Sequence, residues 1–228
     1  MQSHELLYTG AFALLKASLA AGQSLKAESG AMVSMDATIE VAGKMEGGLL
    51  GGITRMVSGE KFFFQTLTAN GADGEVLLAP ASPGDITHIA MDGSTTYNVQ
   101  KDGFLAGSQD LEVSTKMQNL AKGLFSGEGF FIVKVSGTGD LFVNSFGAIH
   151  RIDLPAGKDY IVDNGHLVAW ADTLQYKVQK ASKGWISSFT SGEGLVTRFT
   201  GPGSLYIQSR NAPAFGSWIR PYIPIKDS

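Results

Sequence analysis

The strongest constraint on how this chain can fold is a short phrase that it writes three times. Ser-Gly-Glu opens SGEKFFFQTL at Ser58, SGEGFFIVKV at Ser126 and SGEGLVTRFT at Ser191, with starts 68 and 65 residues apart (126 − 58 and 191 − 126). Each triplet leads into an apolar run. A glycine, a variable residue and a second apolar run follow: GEVLLA at Gly74, GDLFVN at Gly139 and GSLYIQ at Gly203. Two apolar runs joined by a link of variable length predict a β-hairpin in each copy.

The agreement extends upstream, where GAMVSMDATIEV from Gly30, GFLAGSQDLEV from Gly103 and GHLVAWADTLQYKV from Gly165 each run from a glycine to a valine. In the first, Ala31, Val33, Met35, Ala37, Ile39 and Val41 alternate with Met32, Ser34, Asp36, Thr38 and Glu40, which predicts a strand with one buried face. A further turn and strand precede each glycine, in AAGQSLKAES, in SPGDITHIAM with TTYNVQKD, and in PAGKDYIVDN. The pattern predicts a single all-β domain over residues 1–228, with three tandem β-repeats in pseudo-threefold symmetry at about 11–79, 80–145 and 146–212. Repeats of this kind bury their apolar faces against their neighbours. In the short C-terminal tail, Pro221 and Pro224 argue against another central strand. Trp218, Arg220 and Tyr222 there either seal the last repeat or reach a neighbouring subunit.

Composition narrows the function. The 29 glycines among 228 residues suit many tight turns, and 43% hydrophobic with 17% charged residues marks a globular chain. A net charge of -3 argues against general binding to a phosphate backbone, so a nucleic-acid partner is not expected. The absence of cysteine excludes disulfides, thiolate metal sites and a cysteine nucleophile, and it suits a reducing compartment. AFALLKASLAAG, residues 11–22, lacks a basic n-region and is interrupted by Lys16, so it reads as a strand rather than a cleaved signal. No run reaches the ~18 apolar residues of a membrane-spanning helix.

The strand pattern lapses just before each triplet, in KMEGGLLGGITRMV, STKMQNLAKGLF and KASKGWISSFT. Leu49, Leu50, Ile53 and Met56, continued by Val57, form a helical stripe in the first. The second carries Leu120, Leu124 and Phe125, and the third Trp185, Ile186 and Phe189. These residues either cap an open end of the sheet core or form a shared apolar surface for self-association or membrane contact.

Sequence signatures of catalysis are absent. There is no GxxxxGK[ST] loop, GxSxG elbow or HExxH helix, and GGLLGG at Gly47 lacks the spacing of a dinucleotide loop. His4, His88, His150 and His166 form no HxH or HxxxH pair, so a metal site would need ligands gathered from distant strands. No catalytic residue, cofactor or metal is assigned on these grounds. Glu60, Glu128 and Glu193 of the triplets could converge only at a threefold axis, where a cation would have to relieve their repulsion. The simpler account makes each triplet a turn.

AGQSLKAESGAMVSMD, GGLLGGITRMVSGEKFFF and SGEGLVTRFTGPGSLYIQSR occur in that order over nearly the whole chain. With them the sequence resembles bacterial members of the altered inheritance of mitochondria (member twenty-four) family. The resemblance implies a fold like that of the tryptophan RNA-binding attenuation protein, of double-stranded β-helix type. It also implies a homo-oligomer such as a trimer, and mitochondrial relatives tied to inner-membrane organisation. It brings no catalytic residue, and fold alone does not bring RNA binding. The leading expectation is a non-enzymatic oligomeric scaffold or binding module in a protein complex or at a membrane surface, cytoplasmic or peripheral to the inner membrane. A small-molecule binder using glycine-rich clefts between repeats is the alternative, and an unrecognised enzyme the third.

Overall fold

Alternating apolar residues build this molecule strand by strand. In LLKASL, Leu15, Ala17 and Leu19 are buried while Leu14, Lys16 and Ser18 are half-exposed, the signature of a sheet with one face on a core. The computed structural model describes residues 1–44, 64–118, 130–180 and 195–224. Its first unit comprises β2 (Leu14–Leu19), β3 (Ser24–Glu28), β4 (Met32–Met35), β5 (Ile39–Lys44), β6 (Phe64–Ala69) and β7 (Gly74–Leu78), preceded by β1 (Ser3–Leu7). The second comprises β8 (Ile86–Asp92), β9 (Tyr97–Gln100), β10 (Phe104–Ser108), β11 (Glu112–Gln118), β12 (Phe130–Ser136) and β13 (Thr138–Asn144). The third comprises β14 (Ile149–Leu154), β15 (Asp159–Asp163), β16 (Leu167–Ala171), β17 (Gln175–Lys180), β18 (Leu195–Thr200) and β19 (Gly203–Gln208). A short helix, α1 (Ala212–Ile219), follows.

One antiparallel pairing scheme appears three times. The last strand of each unit lies between the first and the third, as β7 lies between β2 and β4, β13 between β8 and β10, and β19 between β14 and β16. The fifth strand lies between the second and the fourth, as for β6, β12 and β18. The third strand carries a register shift at the same step each time, at Met32/Ser34, Phe104/Ala106 and Leu167/Ala169. Such bulges add local twist and bend the strand. Units are joined through sheets: β3 pairs with β10 and β9 with β16. The resulting sheets run β1-β2-β7-β4, β5-β6-β3-β10-β13-β8, β11-β12-β9-β16-β19-β14 and β15-β18-β17.

Three apolar cores fill the spaces between these sheets. The first gathers Leu15, Leu19, Leu25, Leu67, Val76 and Leu78, together with Phe142 from the second unit. The second is built on Phe104, Leu111, Val113, Val135 and Leu141, and the third on Trp170, Leu174, Phe199 and Leu205. Aromatic packing marks the third, where Trp170 stands edge-on to Tyr176 and Phe199 at ring distances of 5.3 and 5.8 Å.

Two sequence expectations are corrected. The runs after each triplet do not form hairpins, because β6 and β7, β12 and β13, and β18 and β19 enter different sheets. The glycine between them turns a corner. A Cβ on Gly74 would lie 2.7 Å from Ile39 Cδ1, one on Gly139 2.7 Å from Ser108 Cβ, and one on Gly203 2.8 Å from Leu174 Cγ. Nor is GAMVSMDATIEV a single strand. Asp36 turns the chain, its carbonyl accepting from Ile39 N at 3.0 Å and its carboxylate from Glu75 N at 2.9 Å. Ala31 and Ile39 are therefore buried, whereas Val33, Met35, Ala37 and Val41 face solvent.

Candidate functional site

The apolar residues singled out from the sequence, Leu49, Leu50, Ile53, Met56, Leu120, Leu124, Phe125, Trp185, Ile186 and Phe189, lie outside the described residues, as do Glu60, Glu128 and Glu193. The strands flanking those segments are paired neighbours, with Lys44 opposite Phe64, Gln118 opposite Phe130 and Lys180 opposite Leu195.

Two described features stand out. The first is a cluster gathered from four strands. His88 on β8 faces across to Asp140 on β13, its Nε2 2.7 Å from Asp140 Oδ1, while Ser108 Oγ on β10 receives the Asp140 N–H at 2.9 Å. His4 on β1 comes in from the first sheet, its ring 4.4 Å from that of His88, and the Phe142 ring lies 5.0 Å from His4 and 5.2 Å from His88. Burial, and then the neighbouring His88, hold the His4 imidazole below the ordinary histidine value, against the opposing pull of Asp140.

The His88–Asp140 pair has a structural counterpart. Lys16 stands opposite Leu77 as His88 stands opposite Phe142, and Lys16 Nζ meets Glu75 at 2.8 Å on the matching diagonal. A basic–acidic pair across these strands thus recurs in the first two units, whereas in the third Arg151 stands opposite Tyr206 and pairs with Asp153 on its own strand. His4, brought in by β1, is what sets the His88–Asp140 pair apart. One donor atom from each of His4, His88 and Asp140 falls within 4.8 Å of the others. Zinc bonds of about 2.0 Å in tetrahedral array need donors roughly 3.3 Å apart. For the three to hold a divalent ion, the 2.7 Å His88–Asp140 hydrogen bond would have to open and the ion take its place, with His4 as the third donor and a fourth position open. The sequence conceals this cluster because His88 and Asp140 are 52 residues apart and His4 sits on another sheet.

The second feature is the C-terminal segment. Asn211 caps α1, its side-chain oxygen accepting from Ala214 N at 2.7 Å, and Pro213 occupies the first turn. Phe215 rests edge-on against Phe146 at 5.3 Å. From there the rings climb outward, with Phe215 to Trp218 and Trp218 to Tyr222 each 5.8 Å apart. No residue of α1 is buried, and Trp218 and Tyr222 are 64% and 73% exposed. The tail therefore forms a helix and a tight turn with its rings in solvent, and these rings do not seal the last unit.

Comparison with known proteins bears on the whole chain. The profile of the family described as Mitochondrial biogenesis AIM24 matches residues 4–210. An uncharacterised protein of Streptococcus pyogenes serotype M6 is 35% identical over 221 residues, which is 93% of this chain and 88% of that protein. A crystal structure of a Streptococcus pyogenes protein matches with a TM-score of 0.80 at 32% identity, covering 97% of this chain and 99% of that one.

Proposed function

The chain belongs to the Mitochondrial biogenesis AIM24 family, and from that premise we propose that it is a non-enzymatic scaffold or binding module working in a protein complex or at a membrane surface. The observation that carries this reading is the Phe215–Trp218–Tyr222 ladder, an apolar surface held by a capped helix and left out of every core. Tryptophan and tyrosine favour the boundary between lipid headgroups and chains, and a short helix showing such rings beside Arg220 suits docking there. Among the described residues no helix is long and apolar enough to cross a membrane, so contact through this segment would be peripheral.

Flotation with phosphatidylglycerol-containing vesicles tests the reading. The native chain should rise with the vesicles, and a Trp218→Ser, Tyr222→Ser variant should stay behind with unchanged circular dichroism. A native chain that stays at the bottom and shows no blue shift in tryptophan emission refutes membrane docking. The His4–His88–Asp140 cluster favours a second, compatible reading in which the module holds a divalent cation between its first two sheets.

A further inference from the structure

We propose that the tip of the β1–β2 hairpin is a second membrane anchor, which enters the headgroup layer of an anionic bilayer beside the C-terminal ladder and so rests on the membrane reading of that ladder. The tip is YTGAFA, residues 8–13. Tyr8 and Phe12, 74% and 75% exposed, are the most open large apolar side chains among the described residues. Tyr8 is also the one non-glycine residue described with a positive φ, at +52°. A bulky side chain is costly in that conformation, which glycine or asparagine takes readily. A ring held in solvent at such a position adds nothing to a core, and strain of this kind gathers at functional sites.

The tip is fastened to the end of the molecule that carries the ladder. Gly10 N donates to Asp85 Oδ1 and Ala13 N to the Gly84 carbonyl, each at 2.9 Å. Gly84 bridges in turn to Gly147, whose N–H donates to the Pro83 carbonyl at 2.9 Å. The carbonyl of Phe146 accepts from Arg210 N at 3.2 Å, and its ring meets that of Phe215 at 5.3 Å. The starts of β2, β8 and β14 and the end of β19 therefore meet in one place. The exposed rings of Phe12 and Phe215 both belong to it.

Charge identifies the partner. The chain carries a net charge of -3, yet residues 205–224 contain Arg210 and Arg220 and no acid, and residues 8–13 contain no charged side chain. Both arginines are exposed. The Asp85 carboxylate behind the tip is taken up by the N–H groups of Gly10 and Ile86. This end is thus cationic on an acidic protein, which suits the phosphates of anionic lipid. Its rings stand on two projections, a hairpin tip and a helix with its following turn. Aromatic knobs beside arginine are suited to the headgroup layer of a bilayer. Binding through one projection makes binding through the other intramolecular, so the pair should hold more strongly than either alone.

Flotation with vesicles of phosphatidylcholine and phosphatidylglycerol tests the second anchor. Tyr8→Asn with Phe12→Ser removes both rings and keeps a residue that tolerates the left-handed turn, so circular dichroism should match the native chain. Its partitioning onto the vesicles should fall about tenfold. The native chain should partition less onto vesicles of phosphatidylcholine alone. Because the chain has no cysteine, Phe12→Cys can carry a nitrobenzoxadiazole label at one site. Its emission should brighten and shift to the blue when the anionic vesicles are added. The same label on Lys158→Cys, in the exposed turn beyond the far end of β14, should not respond.

If the native chain floats and the hairpin variant floats equally well, the proposal is overturned and the tip passes to a protein partner, while the reading of the ladder stands. A silent label at position 12 on a floating chain has the same meaning, and it decides the matter should the double variant fail to fold. Equal partitioning onto neutral vesicles overturns the anionic headgroup as partner. A native chain that stays at the bottom overturns both anchors together.

Discussion

If the corner glycines are kept because a side chain closes over them, a double substitution should recover part of what a single one loses. Gly74→Ala places a Cβ 2.7 Å from Ile39 Cδ1 and 2.5 Å from Thr38 Oγ1. Overpacking of this kind costs roughly 1–3 kcal/mol. Thr38 must also turn, loosening its 3.1 Å hydrogen bond to the Asp73 carbonyl, which adds about 1 kcal/mol. Ile39→Ala alone, at a position 5% exposed, should cost about 2–4 kcal/mol as a cavity. Together, the new methyl group enters space that the isoleucine has vacated. The double variant should then be more stable than the sum of the singles predicts by about 1–2 kcal/mol. Gly203 supplies the contrast, because Leu174 Cγ lies 2.8 Å from its Cβ position but its φ is +153°. There the backbone strain of roughly 1–3 kcal/mol survives removal of Leu174, so Gly203→Ala with Leu174→Ala should recover less. Urea titration followed by both far-ultraviolet circular dichroism and fluorescence measures these differences, and coincidence of the two probes checks that a single transition is being read. Additivity within about 0.5 kcal/mol at Gly74 and Ile39 would refute the account of the corner.

Two further outcomes are expected. Because the folded-state pKa of His4 lies below its unfolded value, the unfolded chain takes up that proton first as pH falls. Stability present above about pH 6.5 should drop on acidification through that value and level off below the folded pKa, and His4→Asn should flatten the profile. Where the same imidazoles are neutral, Zn²⁺ should raise the melting temperature of the native chain and not of His4→Ala with His88→Ala; no shift would exclude the cation site. Burial also raises the pKa of the Glu28 carboxyl, against the Gly30 N–H that steadies its charge. The folded state thus holds that proton more tightly, so this carboxylate weakens folding as pH rises through the carboxylate range. Glu28→Gln should raise the melting temperature at pH 7 and leave it nearly unchanged at pH 3.

The sequence made the strands legible where one face meets a core and the other meets water. GEVLLA became β7 for that reason, whereas GDLFVN and GSLYIQ became β13 and β19 as short runs buried on both faces. It misled where adjacent strands pair with distant partners. A tight turn and a corner between sheets use the same glycines and the same short spacing, and only the sheet order separates them. The exposed face of β4 was misread because alternation records what a strand offers, not whether a partner has taken it up. Val33 and Met35 are apolar in the pattern of a buried face, yet no described strand covers them. The His4–His88–Asp140 cluster left no trace in spacing, since its members meet only when the first sheet packs on the second.

The two shared sheets have a thermodynamic consequence. Each six-stranded sheet lends three strands to one unit and three to the next, so no unit can melt without stripping an edge from its neighbour. The molecule is in effect a three-membered array with nearest-neighbour coupling, and the middle member is supported from both sides. Amide exchange should then be slowest in the middle unit and should quicken toward either terminus, like a zipper that frays from its ends.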